Sequence, residues 1–475
     1  MRTYWGGTRR VSVGLGMVGG LLYGLLGLAA PLGAAGGWDQ AYGNLANTGF
    51  VNATTHVPVV ANWSYPLDAE VGTSGPVVDS ASGTIYLGTA NGTFWAFFPD
   101  GSLHCQRIFK GTKISSVPAI FPNGDIAILV TRPAGTKNQT ALARLTPDCG
   151  VVWQVDLPTM FGNPSFTSGS AKIWTLDGES FLFVHVLFSN WDFSLPPYSF
   201  HELVVFDGQG QIFARHPVGE TCIELRGGGR FTAGAHPGKE SAEPPAELAP
   251  QVSVTDAWPD STPAILDTAL HGLSTPRSPL VAVTDHNCHP RLEVLQFDPA
   301  AVTVPGRLVK RWGADTEEEG VKMSSPAVTP EGLIVFGTSC YQVRIYDLNT
   351  LSRRCSFDAT YAVMHPPALA PDAWIVPSEY AVHFLKPGTD TPIDTARPQP
   401  HYTLGSATGL AASSNEVVVP NLQELGIWTH DLRSLTHALT AEEFRTSPPA
   451  LTPEGRLYVV AQTHEKSVLY AFGPR

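Results

Sequence analysis

The sequence predicts an all-β fold, an eight-bladed β-propeller of four-stranded antiparallel blades. Three observations predict it. A short strand opening with Ser or Thr and Pro recurs eight times along the chain, and from Pro326 through Pro367 and Thr408 to Pro449 the step is 41 residues each time. Between these starts lie β-branched and aromatic runs of about five residues bounded by turn formers. The composition agrees, with Gly 46, Pro 40 and 43% hydrophobic residues against 15% charged, the balance of many short strands joined by tight turns.

The eight starts are Ser74-Gly75-Pro76, Ser116-Val117-Pro118, Gly162-Asn163-Pro164, Ser261-Thr262-Pro263, Ser324-Ser325-Pro326, Pro366-Pro367, Ser406-Ala407-Thr408 and Ser447-Pro448-Pro449. Second strands read as Thr84-Ile85-Tyr86-Leu87-Gly88, Leu333-Ile334-Val335-Phe336-Gly337 and Leu457-Tyr458-Val459-Val460. Third strands read as Thr93-Phe94-Trp95-Ala96-Phe97, Leu292 to Phe297, Val343-Arg344-Ile345-Tyr346 and Val468 to Phe472. Asn91-Gly92 marks a hairpin that needs positive φ. Pro99-Asp100-Gly101, Asp148-Cys149-Gly150 and Asp207-Gly208 mark the turns after strand three. Fourth strands end in an aromatic at Val151-Val152-Trp153 and Leu308 to Trp312. The last blade offers only three strands before Arg475, so Val59-Val60-Ala61-Asn62-Trp63 is expected to pair with it and close the ring.

One step is long, 99 residues from Pro164 to Pro263. The excess, 217–258, contains Gly227-Gly228-Gly229 and a run poor in large apolar residues, and reads as an insertion loop. The propeller is expected to span 38–475 as one domain.

Residues 1–37 differ from the rest. Arg2, Arg9 and Arg10 precede an apolar stretch from Val11 to Leu32 that leads into Gly33-Ala34-Ala35, the layout of a secretory signal cleaved near Ala35, or of an anchor if uncleaved. Export to the periplasm or the extracellular space is the expectation. No cysteine precedes Cys105, which argues against a lipid-bearing cysteine after the signal. Gly14-Leu15-Gly16-Met17-Val18-Gly19 matches the dinucleotide fingerprint formally, but the fingerprint works only inside a βαβ unit. A formal charge of −12 repels a phosphate backbone and argues against nucleic acid as a partner.

The six cysteines, Cys105, Cys149, Cys222, Cys288, Cys340 and Cys355, are an even set that suits disulfides in an exported chain. Cys340 with Cys355 is the leading pair, since both fall at strand ends in one blade; Cys105 with Cys149 and Cys222 with Cys288 follow.

No Gly-x-Ser-x-Gly elbow occurs. His201-Glu202 and His464-Glu465 begin a zinc-protease pattern, yet Val205 and Val468 stand where its second histidine belongs, so surface or hairpin positions are expected for both. His286-Asn287-Cys288-His289 is the densest cluster of metal-ligand types, and one short loop seldom closes a tetrahedral site. Asp315 with Glu317, Glu318 and Glu319 reads as a solvated turn rather than a calcium loop. No catalytic or metal residue is assigned. Strand aromatics read as core, leaving Trp191, Tyr198 and Trp258 as candidates for ligand stacking. Asn52, Asn62, Asn91 and Asn138 open glycosylation sequons.

The units Gly88 to Phe97 and Leu145 to Trp153 resemble the blade motif of the pyrroloquinoline-quinone-like β-propeller superfamily, and Trp38-Asp39-Gln40-Ala41-Tyr42-Gly43-Asn44-Leu45-Ala46-Asn47-Thr48-Gly49-Phe50 is similar to the N-terminal segment of its exported members. The resemblance implies either a non-enzymatic protein, as in the outer-membrane assembly lipoproteins, or a dehydrogenase using pyrroloquinoline quinone with calcium. Catalytic members place a vicinal Cys-Cys disulfide against the quinone, and no two cysteines are adjacent here; no Cys-x-x-Cys-His haem site occurs either. The expectation is a non-catalytic exported propeller without cofactor that binds a protein or cell-envelope component through its loops and central-channel face. Membrane contact is expected only if residues 1–37 stay attached. A quinone-dependent or other small-ligand enzyme using the channel mouth is the alternative.

Overall fold

Apolar strands that bury both faces must lie between other sheets, and the arrangement found here is of that kind. A computed structural model describes residues 38–55, 61–71, 74–114, 116–134, 137–159, 165–167, 169–190, 198–224, 230–233, 262–268, 270, 274–285, 291–315, 323–359, 361–363, 365–378, 381–396, 409–420, 424–429, 435–440, 445–462 and 467–473. Their strands group into eight antiparallel sheets, numbered here in chain order. Sheet 1 pairs Val77–Val78, Ile85–Gly88, Thr93–Phe97 and Leu103–Ile108 in that order, and sheets 4 to 7 repeat the pattern. The only helix among the described residues is the single turn Val304–Arg307.

Successive residues of each strand point to opposite neighbours. In Ile85–Gly88, Ile85 and Leu87 join the cluster shared with Tyr458, Val460 and Phe472 of sheet 8, while Tyr86 joins Ile126 and Ile128 of sheet 2. The same division runs on through sheets 2 and 3, 3 and 4, 4 and 5, 5 and 6, and 6 and 7. This two-sided burial is why the strands read as continuous apolar runs rather than alternating ones.

The Ser/Thr-Pro starts have a hydrogen-bonding cause. Ser116, Ser324 and Ser447 each accept from a strand-two amide of their own sheet, Leu129, Gly337 and Val460, always 13 residues on. A second set crosses between sheets. Ser74 Oγ donates to Ser116 O at 2.9 Å, and Val117 N, Ser170 N and Thr262 N donate to Ser170 Oγ, Thr262 Oγ1 and Ser325 Oγ, each at 2.9 Å. One hydroxyl type thus fastens a sheet to itself and to the next. The starts at 162–164 and 406–408 lie outside the described residues.

The segment Trp38–Val51 has no strand of its own, yet touches seven sheets in turn. Val78 N donates to Trp38 O, Ile120 N to Asp39 O, Ile173 N to Gln40 Oε1, Ile265 N to Leu45 O, Val328 N to Ala46 O, Leu369 N to Thr48 O and Ala412 N to Gly49 O. Asn47, fully buried at φ 56, donates to Thr262 O, Pro263 O and Pro326 O. The buried Lys172 ammonium donates to Ala41 O and Asn44 O, each at 2.5 Å. We call Trp38–Val51 the clasp.

Asp39 lies mostly buried in the clasp, and burial, partly offset by the nearby Lys172 charge, raises its carboxyl pKa to about 6. The folded state therefore holds this proton up to a higher pH than the unfolded chain does. Stability conferred by the neutral acid is present at low pH and declines as pH rises from about 4 to about 6, by on the order of 2–3 kcal/mol. Asp39→Asn is expected to remove this decline. Denaturant unfolding of both proteins at about pH 4 and about pH 7.5 tests it, because the variant should gain relative stability only at the higher pH.

Strand four of one sheet docks on the strand-three turn of the next. Trp153 lies over Gly210, whose added Cβ would sit 3.0 Å from the ring, and donates Nε1–H to Gly208 O at 3.1 Å. Between sheets 1 and 2 the two docking positions are both cysteine. Cys105 occupies the register place of Trp153, directly after the strand bulge, and Cys149, at φ 62, takes the positive-φ place of the turn glycine. They form the disulfide Cys105–Cys149 across 44 residues, which by chain entropy stabilises by about 4 kcal/mol.

Several expectations are corrected. Cys340 and Cys355 are not joined. Gln342 pairs Asp358 and Ile345 pairs Cys355, and Cys340 stands in the turn before Gln342, so at least three strand residues, roughly 10 Å, separate it from Cys355, beyond disulfide reach. Cys222 lies in the strand Ile212–Glu224, while Cys288 is outside the described residues, as are the metal-type cluster 286–289, Glu317 to Glu319, Trp191, Trp258 and His464-Glu465. The strand that pairs with sheet 8 is Trp63–Leu67 against Ser467–Ala471, four residues later than 59–63, because the Trp must reach the sheet 1 turn. At the Asn91-Gly92 turn only Gly92 takes positive φ, so the connection is a four-residue turn closed by Gly92 N to Thr89 O. The segment 217–258 does not start as a loop: 217–224 continues strand four of sheet 3 and Arg230–Ala233 pairs back onto it.

Candidate functional site

Six of the eight sheets have second strands of four to six residues, whereas those of sheets 2 and 3, Ile126–Ala134 and Glu179–Asn190, have nine and twelve. Register puts the excess at one end. Ile126 pairs Leu145 as Ile85 pairs Phe97, and the pairing then runs on to Ala134 with Lys137 and to Asn190 with Tyr198. The two hairpins thus stand roughly 10–25 Å beyond their neighbours at 3.3 Å per residue. The clasp bonds lie at the opposite end, since Val78 and Ile120 pair Ile85 and Ile126, the first residues of strand two. Tyr198 belongs to the sheet 3 hairpin strand Tyr198–Asp207.

At the base of the sheet 3 hairpin the apolar core gives way to titratable side chains. His185, His201 and Asp285 are all buried; of the surface or hairpin position expected for His201-Glu202, the hairpin is the one found. His185 and His201 project from adjacent strands onto the face that meets sheet 4, where Asp285 ends the strand Leu280–Asp285. His201 Nδ1 lies 3.3 Å from His185 Nε2 and 3.3 Å from Asp285 Oδ1. A Cβ on Gly219, at φ 73, would meet Asp285 Oδ2 at 1.6 Å, so this carboxylate rests against bare backbone.

Further along the seam, Glu293 of sheet 4, also buried, accepts from Lys310 Nζ at 2.5 Å and lies 3.8 Å from Arg291 and 3.9 Å from His216 of sheet 3. Burial holds the His216 imidazole below its usual pKa, with Glu293 acting in the opposite sense. Asp315 accepts from Arg291 Nε at 2.9 Å, and on the opposite face of sheet 3 Glu202 accepts from Arg215 Nε at 3.0 Å. His185, His216, Asp285 and Glu293 escape a motif search because they share no spacing. The signal for them is a charged or imidazole residue inside an apolar run, as in Phe183-Val184-His185-Val186 and Leu292-Glu293-Val294.

Among the described residues no site fits a quinone–calcium group. The cysteines that bond lie 44 residues apart on two sheets, and the clasp, with Trp38, Ala41 and Tyr42 buried, is bonded along the first strands. Among the described residues no three His, Cys, Asp or Glu side chains are placed to hold a metal ion.

No family model matches the chain, and no curated protein matches it. Solved structures do. BamB from Moraxella catarrhalis is 14% identical with a TM-score of 0.53, covering 89% of this chain and 100% of its own. The quinohemoprotein alcohol dehydrogenase from Comamonas testosteroni is 11% identical with a TM-score of 0.58, covering 94% of this chain and 81% of its own. A quinohemoprotein alcohol dehydrogenase from Pseudomonas putida is 10% identical with a TM-score of 0.56, covering 92% and 80%. The chain has the fold of the pyrroloquinoline-quinone-like β-propellers.

Proposed function

We propose that this chain is an exported, eight-bladed, closed β-propeller that binds a protein or cell-envelope component through the elongated hairpins of sheets 2 and 3, without chemistry of its own. In this reading the eight sheets are the blades and Trp63–Leu67 completes the last of them. Residues 1–37 act as the export signal, and the Cys105–Cys149 disulfide suits an oxidising compartment. The observation that carries the reading is the clasp. With Trp38–Val51 bonded to seven first strands, a small ligand has least room at that end, and what the fold offers outward is the hairpin end.

Likeness to two quinohemoprotein alcohol dehydrogenases favours a second reading, a quinone-dependent enzyme. Incubation with pyrroloquinoline quinone and calcium, followed by dye-linked oxidation of alcohols and sugars, separates the two. Saturable quinone uptake with turnover overturns the binding role. Cross-linking capture from the native envelope, run with the full chain and with a variant whose 131–140 hairpin is cut to a four-residue turn, should recover a partner only with the intact hairpin.

A further inference from the structure

Three imidazoles of sheet 3 face two buried carboxylates of sheet 4, and His185, His201 and Asp285 among them leave room for very few protons. His201 Nδ1 faces both His185 Nε2 and Asp285 Oδ1 at 3.3 Å. A proton on His201 Nδ1 can be shared between the His185 lone pair and the carboxylate. His185 then carries its own proton on Nδ1. If His185 also takes a proton on Nε2, two N–H groups confront each other; if the proton leaves His201 Nδ1, a lone pair confronts a carboxylate. Asp285 cannot relax toward sheet 3, because its Oδ2 lies where a Cβ of Gly219 would be.

The charged groups packed around the seam follow from the strands that build it. Arg291 and Lys310 engage Glu293 and Asp315 engages Arg291, all from sheet 4, while Glu202 and Arg215 engage each other on the opposite face of sheet 3. His216 reaches toward Glu293 from strand four of sheet 3. With its folded pKa held down, the stability that neutral His216 confers is present above the unfolded value of about 6.5 and is lost as pH falls. Both groups of contacts therefore fail in the same direction.

We propose that the seam between sheets 3 and 4 is a proton-operated latch, shut at neutral pH and loosened in mild acid, which frees the root of the sheet 3 hairpin. Its use in controlling a partner rests on the binding role proposed above; the latch itself does not.

Hydrogen exchange of the full chain at about pH 7.5 and about pH 5, corrected for intrinsic rates, tests it. Peptides covering 179–190, 198–207 and 280–285 should lose about tenfold in protection at the lower pH, while 333–347 of sheet 5 holds within about twofold. His185→Phe removes the second proton site and should cut the response of the seam to under about threefold; His185→Gln does the same if the larger ring is not accommodated. Equal loss in sheets 3 and 5, or a variant that responds as the parent does, overturns the latch. Hairpin-dependent capture at about pH 7.5 is untouched by that outcome, and a latch that works without any captured partner overturns only the binding role.

Discussion

Asn47→Ala is expected to destabilise the protein by about 3–4 kcal/mol, more than most single substitutions of a residue this small. Three carbonyls, Thr262 O, Pro263 O and Pro326 O, share its amide at 2.9–3.1 Å in a site with no solvent exposure. Each buried acceptor left without a donor costs about 1–3 kcal/mol, offset where a neighbour moves in. Alanine must also hold φ 56, which favours glycine by about 1 kcal/mol. Asn47→Gly should therefore recover roughly that much, while the isosteric Asn47→Asp, which turns an oxygen toward carbonyl oxygens, should be the worst of the three. Denaturant midpoints in the order Asn, Gly, Ala, Asp support the clasp as a tie between sheets 4 and 5. Equal midpoints for Asn and Ala would show that these bonds count for nothing.

The clasp was the part of the fold least open to a sequence reading. It bonds mainly through main-chain carbonyls, which carry no residue signature, and its partners lie as far away as Ala412. The repeat was easier, because the same hydroxyl bond recurs 13 residues apart in sheet after sheet and so leaves a period. Of the cysteine pairs expected, Cys105 with Cys149 forms, while the leading pair, Cys340 with Cys355, does not, for a geometric reason. Cys340 and Cys355 are near in sequence, but Cys340 lies before the open end of the hairpin, where Gln342 meets Asp358, while Cys355 is further in, across from Ile345. Laying repeat on repeat puts Cys105–Cys149 first among the expected pairs, since Cys105 falls on Trp153 and Cys149 on Gly101 at the same offset. His201 was noticed for a metal motif it does not complete. Its contacts with His185 and Asp285 come from the pairing of adjacent strands and from the stacking of two sheets, neither of which a spacing rule encodes.

The junction of the two chain ends is where the largest coupled effect is expected. Trp63 opens the strand paired with Ser467–Ala471, donates Nε1–H to Pro99 O at 3.0 Å and covers Gly101 so closely that a Cβ there would lie 2.6 Å from the ring. Trp63→Ala should cost about 3–5 kcal/mol through lost burial and the hydrogen bond. Gly101→Ala should cost about 2–4 kcal/mol, part from φ 87 and part from collision with the indole. The two costs are not independent. Once Trp63 is alanine the collision term vanishes, leaving only the backbone term at position 101. The double variant should therefore fall short of the sum by about 1–2 kcal/mol, readable as a double-mutant cycle from denaturant unfolding. Additive costs would mean that Trp63 does not rest on the sheet 1 turn. The strand Trp63–Leu67 would then be held by its five residue pairs with sheet 8 and by Tyr65 against Trp95 and Phe97 of sheet 1.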